Sequence, residues 1–266
     1  MAKNYNVAFV GCDLHYHADK PGFGKDPSTF EGQTPRPVSI NGKRQTIIDM
    51  HAHCQLSNVW PLVEGREEIG DSDPYAGQLK EVEDIDVRLA HMDAMGTDIQ
   101  VLSIGTEQHY PWAEYELAEE IATLQNETLT DVCAGHPDRF VPLGVVSLQH
   151  PKLAAAQLEN SVKNLGHRGC MITCSIMGQE VSDTKFRPFW AKAEELGCVV
   201  FMHPRVWKGA NPRLRGHGYL SNIIGNPLET TTALAHLIFE GVLDKYPGLK
   251  IAAAHGGGYL GSYIGR

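Results

Sequence analysis

An alternation of short apolar segments with amphipathic segments limits this chain to one class of fold. Six segments of strand length are apolar, and the first five are each followed by a segment with apolar residues at helical spacing. Strands that are apolar on both faces and alternate with helices indicate a parallel sheet with right-handed crossovers. The predicted strands are residues 46–50, 98–104, 140–146, 169–174, 198–202 and 249–254. The predicted helices are residues 82–95, 113–134, 151–165, 186–196 and 229–243.

Two α/β architectures fit this order of elements, a (β/α)8 barrel and a doubly wound open sheet. The nucleotide-binding fingerprints that are usual in open sheets, G-x-G-x-x-G after the first strand and G-x-x-x-x-G-K-[ST], are absent from the sequence. Residues 46–266 provide about 37 residues for each of six units, close to the 30 or more of a βαβ unit. A closed barrel needs eight units, and an open arc would expose sheet edges. We therefore expect a (β/α)8 TIM-type barrel domain over residues 46–266 that lacks its last two β/α units, in a chain truncated relative to its natural design.

The first 45 residues are rich in glycine, proline and polar residues, and we expect an irregular N-terminal extension with a hairpin. Asn41-Gly42 lies between two short segments of strand character, which is a strong hairpin signal. The extension also contains an apolar run, VAFVGC, followed by Asp13, His15 and His17. This run is an alternative first strand, but the roughly thirty turn-forming residues after it make a poor crossover. We therefore prefer the later segment, which precedes a complete β/α unit.

The charge and the cysteines exclude several classes of protein. The formal net charge is −9 with 13 histidines counted as neutral, whereas a nucleic-acid-binding surface needs basic residues. No run of 18 apolar residues occurs, and the N-terminus lacks the apolar core and cleavage site of a signal peptide. Six cysteines are scattered without a C-x-x-C pair, which is typical of reduced thiols. We expect a cytoplasmic protein that binds neither nucleic acid nor membrane.

Histidines end three of the predicted strands. His51 and His53 lie at the end of the first strand, where alternate residues point to the same side. His203 directly follows the fifth strand, and His255 follows the sixth and precedes three glycines. A single histidine in such a place is more often structural, but the carboxyl ends of barrel strands all meet at one face. Histidines at this end of three strands predict a divalent metal site.

Five stretches of the chain resemble the amidohydrolase-2 group, and most closely the aminocarboxymuconate-semialdehyde decarboxylase family. They are IIDMHAH, HMDAMGTDIQVLS, AGHPDRFVPLGVVSLQ, VVFMHP and NPLETTTALAHLIFEGVLDKYPGLKIAAAHGGGYLGSYIGR, in this order over the predicted barrel domain. The resemblance implies a barrel of the metal-dependent hydrolase superfamily with one divalent metal ion, zinc first and manganese as the alternative. It also implies His51, His53 and His203 as metal ligands and His255 as the catalytic histidine. The family's remaining ligand, an aspartate after the eighth strand, has no counterpart in this sequence.

The same resemblance implies a reaction. We expect a metal-dependent non-oxidative decarboxylase of an aromatic or unsaturated carboxylic acid, in which a metal-bound water and His255 move the proton. A metal-dependent hydrolase or hydratase on the same scaffold, for example of a β-keto thioester or a ring-fission product, is one alternative. A catalytically inactive truncated form is the other. The resemblance further implies a small-molecule carboxylate as the binding partner and a homodimer.

Three residues are candidates for binding the substrate. Arg205 and Trp207 follow the predicted fifth strand, on a loop at the barrel mouth, and Arg205 suits a bidentate contact with a carboxylate. Arg66 lies in the polar loop predicted for residues 56–82, which we expect to cover the site. Glu229 lies at the predicted start of a helix, where the helix dipole favours a negative charge. For Glu229 we expect a capping role and not a catalytic one.

Overall fold

A computed structural model of the chain describes residues 7–10, 38–68, 85–205, 212–214 and 220–266. The chain divides into two compact units. The first unit consists of Met1–Gly105 and Glu127–Pro142, and the second consists of Thr106–Asn126 and Leu143–Arg266. None of the helices in the described ranges combines the length and the apolar character needed to cross a bilayer.

The first unit is built around a four-stranded sheet. Its elements in chain order are β1 (Val7–Val10), β2 (Ser39–Ile40), β3 (Lys43–Arg44), β4 (Ile48–Leu56), α1 (Trp60–Val63), α2 (Ile85–Met95), β5 (Ile99–Ile104), the end of α3 (Tyr115–Gly135) and β6 (Phe140–Pro142). The sheet has the order β1-β4-β5-β6, in which β4, β5 and β6 are parallel and β1 is antiparallel to β4. Strands β2 and β3 form the hairpin predicted at Asn41-Gly42, where φ angles of +51° and +74° suit a type I′ turn.

The second unit is built around a parallel four-stranded sheet with helices between its strands. After the start of α3, its elements are β7 (Gly144–Val145), α4 (Pro151–Lys163), β8 (Gly169–Thr173), β9 (Ser175–Ile176), β10 (Gln179–Glu180), α5 (Arg187–Leu196), β11 (Val199–His203), α6 (Asn226–Phe239), α7 (Val242–Lys245), β12 (Lys250–Ala253) and α8 (Leu260–Tyr263). The sheet order is β12-β11-β8-β7, and every neighbouring pair is parallel. The register places His203 beside Thr173 and Met202 beside Ala253. It thereby decides which residues meet at the carboxyl edge of this sheet.

The predicted order of strands and helices is confirmed, although several boundaries differ. The third predicted strand, 140–146, is split into β6 and β7, because Pro142 has no N–H to continue the ladder. The last predicted helix begins at Asn226 instead of Glu229. It is also divided into α6 and α7 at Gly241, whose φ of +74° ends a helix.

The segment predicted as a polar loop after β4 is partly helical. A 3-10 turn, Ser57–Val59, leads directly into α1, and a proline in the first turn favours this helix start. Val59 and Val63 are completely buried, and their spacing of four residues puts both on one helix face. This short apolar pattern was too brief to stand out among the polar residues around it.

Besides the expected β2–β3 hairpin, the described part of the N-terminal extension contains strand β1. Strand β1 runs antiparallel to the last part of β4, with Val10 opposite His53. Antiparallel pairing is incompatible with the first strand of a parallel β/α series. The assignment of that position to β4 is therefore confirmed, while Asp13, His15 and His17 lie outside the described residues.

An apolar core fills the second unit between its sheet and its helices. Phe186, Phe189 and Trp190 are completely buried, and the Trp190 indole N–H donates to the Val181 carbonyl at 2.8 Å. The cysteines within the described residues are free and buried, as expected for reduced apolar side chains: Cys54, Cys133, Cys170, Cys174 and Cys198. Burial raises the pKa of Cys54 to about 12, against the lowering effect of the nearby Arg88 charge. These thiols are therefore neutral packing groups.

A buried polar cluster fixes β7 to helix α3 in the second unit. The Asn126 amide donates to the Val145 carbonyl at 2.9 Å, and its oxygen accepts the Val145 N–H at 2.7 Å. His167 packs against the same group, and burial lowers its pKa to about 4, opposed by a hydrogen bond with the Asn126 backbone. A Cβ at Gly144 would lie 2.9 Å from His167 Nδ1 and 3.1 Å from Asn126 Oδ1. The cluster therefore requires glycine at position 144.

We expect Asn126→Ala to lower the free energy of unfolding by about 2–4 kcal/mol, because two buried backbone groups of Val145 lose their partners. The midpoint of urea unfolding at unchanged slope measures this loss. Asn164→Ala is the matched control, since that amide bonds only to Asn160 on the exposed end of α4, and its cost should stay below about 0.5 kcal/mol. Equal midpoints for the two variants would contradict the role of Asn126.

Candidate functional site

Two histidine rings on β4 face each other through their Nε2 atoms. The two Nε2 atoms of His51 and His53 lie 3.1 Å apart, and the ring planes meet at 83°. His53 is buried and His51 is half-buried. Two nitrogen ligands at about 2.0–2.1 Å from a zinc ion are separated by about 2.9–3.4 Å for ligand angles from square to tetrahedral. The observed separation therefore fits two ligands of one metal ion.

The second ring nitrogen of His53 is held by β5. Its Nδ1 lies 2.8 Å from the Ser103 hydroxyl oxygen, and that hydroxyl donates to the Ala52 carbonyl at 3.3 Å. Because the hydroxyl proton is already used, Nδ1 is the donor and Nε2 keeps its lone pair. Contacts of this kind orient metal-binding imidazoles. Sequence reasoning missed Ser103, and the only signal for it is the register that pairs it with His53.

Asp49, the acidic residue of the D-x-H-x-H pattern, has a backbone role. Its carboxylate accepts the His51 backbone N–H at 3.1 Å and the Gln100 side-chain amide at 3.0 Å. The register between β4 and β5 shifts between Asp49 and Ala52, so these bonds brace an irregular stretch of strand. The prediction that the histidines end the strand is wrong, since β4 continues past them to Leu56.

His203 is the buried last residue of β11 in the second unit. Its Nδ1 donates to the Pro204 carbonyl at 2.8 Å, because a carbonyl can only accept, and Nε2 is then the ring atom with a lone pair. The rings of His203 and His255 lie 5.2 Å apart at 60°. The Ala254 N–H donates to the Met202 carbonyl at 2.9 Å and carries the pairing of β11 and β12 up to these rings. Parallel register thus brings the two histidines together.

The turn that begins at His255 has an unusual backbone. His255 has a φ of +55°, which residues other than glycine rarely adopt, and the three glycines after it also have positive φ. A Cβ at Gly258 would lie 2.2 Å from the Pro227 carbonyl oxygen and 2.4 Å from the Thr231 hydroxyl oxygen. At Gly256, nothing lies within 4 Å of such a Cβ. The glycine triplet is therefore packed tightly against helix α6 at one end only.

The Glu229 carboxylate reaches from α6 to two neighbouring strand ends. The Ser175 hydroxyl donates to it at 3.2 Å, and the Arg205 backbone N–H donates to it as well. Burial raises the pKa of Glu229 to about 7, and the nearby Glu180 charge adds to this effect. The bonds from Ser175 and Arg205 and the Arg205 charge act in the opposite direction. A carboxyl group with this pKa is partly protonated at neutral pH.

Glu229 lies in the first turn of α6, as expected, where the helix dipole favours a negative charge. A π-helical segment, Ser221–Gly225, leads directly into this helix. The bonds that the Glu229 carboxylate makes to Ser175 and Arg205 had no signal in the sequence, because they depend on the tertiary arrangement.

The predicted substrate-binding residues occupy different environments. Arg205 is half-buried two residues after His203 and interacts electrostatically with Glu229. Arg66 is exposed in the first unit, and its Nε donates to the Leu62 carbonyl at 3.3 Å. Trp207 lies outside the described residues. Their roles toward a substrate stay predictions.

Comparison with known proteins places the chain in a family. The sequence matches the amidohydrolase family over residues 48–264, which includes β4, β11, β12 and the histidines described above. The chain belongs to the amidohydrolase family. The resemblance seen in the five sequence stretches is therefore confirmed.

Two relatives of this amidohydrolase chain are decarboxylases. The 2-amino-3-carboxymuconate-6-semialdehyde decarboxylase of Dictyostelium discoideum is 30% identical over 246 residues, which cover 84% of this chain and 66% of that protein. The gamma-resorcylate decarboxylase of Rhodococcus jostii is 31% identical over 183 residues, covering 65% of this chain and 56% of that protein. The chain thus spans between about half and two thirds of the length of these relatives.

A solved structure has the same fold. The 5-carboxyvanillate decarboxylase of Novosphingobium aromaticivorans, with bound manganese and a nitrobenzoic acid, is similar with a TM-score of 0.72 and 26% identity. The likeness covers 83% of this chain and 69% of that one. It confirms the α/β class and the TIM-type barrel fold predicted from the alternation of elements.

We expect Gly258→Ala to destabilise the protein by about 1–3 kcal/mol more than Gly256→Ala, because only the first change drives a methyl group into α6. Gly256 has φ +65° and ψ +21°, in the αL region, whereas Gly258 has φ +65° and ψ −131°, which residues with a Cβ do not readily adopt, so backbone strain adds to the steric clash at Gly258. Urea unfolding of the two variants measures the difference. Equal stabilities would show that the turn is not packed against α6 as described.

Proposed function

We propose that this chain is a metal-dependent non-oxidative decarboxylase of an aromatic or unsaturated carboxylic acid. The observation that carries the proposal is the facing His51 and His53 pair, whose Nε2 atoms have the separation of two ligands on one ion. The names of the relatives supply the reaction class, since both are decarboxylases of unsaturated or aromatic acids. A small-molecule carboxylate is accordingly the proposed binding partner.

His51, His53 and His203 are the proposed ligands of one divalent metal ion. Hydrogen bonds at Nδ1 of His53 and His203 support this assignment, because they leave Nε2 of both rings with a lone pair. Nitrogen ligands suit zinc, whereas the similar 5-carboxyvanillate decarboxylase binds manganese, so zinc is the first choice and manganese the alternative. The aspartate ligand implied by the resemblance has no assigned counterpart among residues 1–266.

The remaining residues would handle the proton and the substrate. A bound divalent metal ion supplies positive charge that stabilises negative charge on substrate oxygens. His255, half-buried beside His203, would deliver a proton to the carbon that bears the carboxylate. The bond between that carbon and the carboxylate then breaks, its electron pair restores the double bond, and CO2 leaves. Arg205 would bind a substrate carboxylate through paired N–H groups, and Trp207 and Arg66 would contact the rest of the substrate.

We also propose a cytoplasmic location. The cysteines in the described part of the chain are free and buried, which suits a reducing compartment. The net charge of −9 disfavours nucleic acid as a partner. The homodimer implied by the resemblance stays a prediction.

We expect the protein, purified after zinc loading, to retain roughly one metal ion per chain, and His203→Ala to retain less than about 0.1. Elemental analysis after gel filtration measures the metal content. His236→Ala is the matched control, because that ring bonds to Glu240 on α6 and should leave the metal content unchanged. Full metal retention by His203→Ala would remove His203 from the ligand set.

We expect the metal-loaded protein to release one CO2 for each molecule consumed of gamma-resorcylate, 5-carboxyvanillate or 2-amino-3-carboxymuconate 6-semialdehyde. His255→Ala should lower kcat by roughly 10²–10⁴ while the metal content is kept, because the proton donor is lost. The assay compares released CO2 with substrate loss. Substrate loss without CO2 would favour a hydrolase or hydratase, and no turnover of any of the three would contradict the proposed activity.

A further inference from the structure

The Glu229 carboxylate joins two equivalent positions on adjacent parallel strands. Thr173 at the end of β8 pairs in register with His203 at the end of β11. Ser175 and Arg205 each lie two residues beyond that pair, and both donate a hydrogen bond to Glu229. Where the ladder between β8 and β11 ends, a carboxylate on helix α6 therefore links the two chain segments.

The continuation of the chain beyond His203 explains why this link matters. The Cys174 N–H donates to the His203 carbonyl at 3.2 Å, just beyond the paired residues of the two strands. Beyond it, the Arg205 backbone N–H is held by Glu229 on α6. A carboxylate on α6 therefore bonds to the backbone at the base of the Arg205 side chain, where the chain leaves β11.

We propose that Glu229 is a positioning residue that fixes the turn after His203 and aims Arg205 at the carboxylate of the substrate. The contact of Arg205 with substrate rests on the proposed decarboxylase function, whereas the hold of Glu229 on the Arg205 backbone does not. The Arg205 charge also interacts with the Glu229 carboxylate. Glu229 acts through Arg205 and does not itself touch the substrate.

The hold of Glu229 is tested by the hydrogen exchange of the Arg205 amide. Selective ¹⁵N-arginine labelling makes the signal visible by NMR, and loss of the signal in Arg205→Lys assigns it. We expect Glu229→Ala to accelerate exchange at Arg205 by roughly tenfold or more, and Glu229→Gln, which keeps an acceptor oxygen, to change it by less than about threefold. An unchanged exchange rate in a folded Glu229→Ala protein overturns the proposal.

The consequence for the substrate is tested by kinetics with the acid that the protein turns over best. We expect Glu229→Ala to raise KM by roughly tenfold or more with kcat within about threefold, and Glu229→Gln to recover most of the loss. Glu240→Ala, a change at the other end of α6, is the control and should leave both constants unchanged. A fall in kcat with unchanged KM overturns the positioning role, because it would mean direct participation in the reaction.

The two tests separate the inference from the proposed function. If no carboxylic acid is turned over, the decarboxylase proposal fails, while the exchange of the Arg205 amide still decides whether Glu229 holds the turn. If turnover is normal and exchange at Arg205 is indifferent to Glu229, the inference fails alone. If Glu229→Ala does not fold, Glu229→Asp replaces it in both tests. Its shorter carboxylate should weaken the bond to the Arg205 N–H, and so accelerate exchange at Arg205 and raise KM. An unchanged exchange rate and an unchanged KM would overturn the proposal.

Discussion

Parallel pairing in register is the constraint on which the rest of the second unit depends. Neighbouring strands that run the same way must end at the same edge, so residues far apart in the chain become neighbours there. His203 and His255 come together because Met202 pairs with Ala253 and the next bond continues that ladder. The Glu229 carboxylate bonds to Ser175 and Arg205, each two residues beyond the paired Thr173 and His203.

Hydrogen bonds behind the rings decide what the histidines can do. Ser103 and the Pro204 carbonyl accept hydrogen bonds from Nδ1 of His53 and His203, which leaves the lone pair of each neutral ring on Nε2. The Nδ1 contacts arise from ordinary strand geometry, since Ser103 is simply the register partner of His53. The pairing of β4 with β5 thus also orients the His53 ring.

Sequence periodicity was sufficient for the α/β fold class, but not for the groups that surround the histidines. Strands and helices that bury apolar faces leave a repeating pattern of apolar residues, and this pattern is visible in the sequence itself. The bonds of Glu229 could not be found this way, because its partners Ser175 and Arg205 are distant in the sequence and meet it only in the folded chain. The end of β6 at Pro142 could have been predicted, since proline interrupts a ladder. The buried face formed by Val59 and Val63 could not, because two apolar residues are too few to show helical periodicity.

The bidentate grip of Asn126 on Val145 has a consequence for how this fold can change. The Asn126 side-chain amide bonds to Val145 as the backbone of a neighbouring strand would. It can make both bonds only if α3 is rotated about its axis so that Asn126 faces β7. Each residue inserted or removed in the preceding turns would rotate that amide by about 100° and carry it off the strand. Insertions and deletions in α3 should therefore occur after Asn126, or before it only as whole helical turns. The length of α3 before Asn126 should accordingly vary little during evolution.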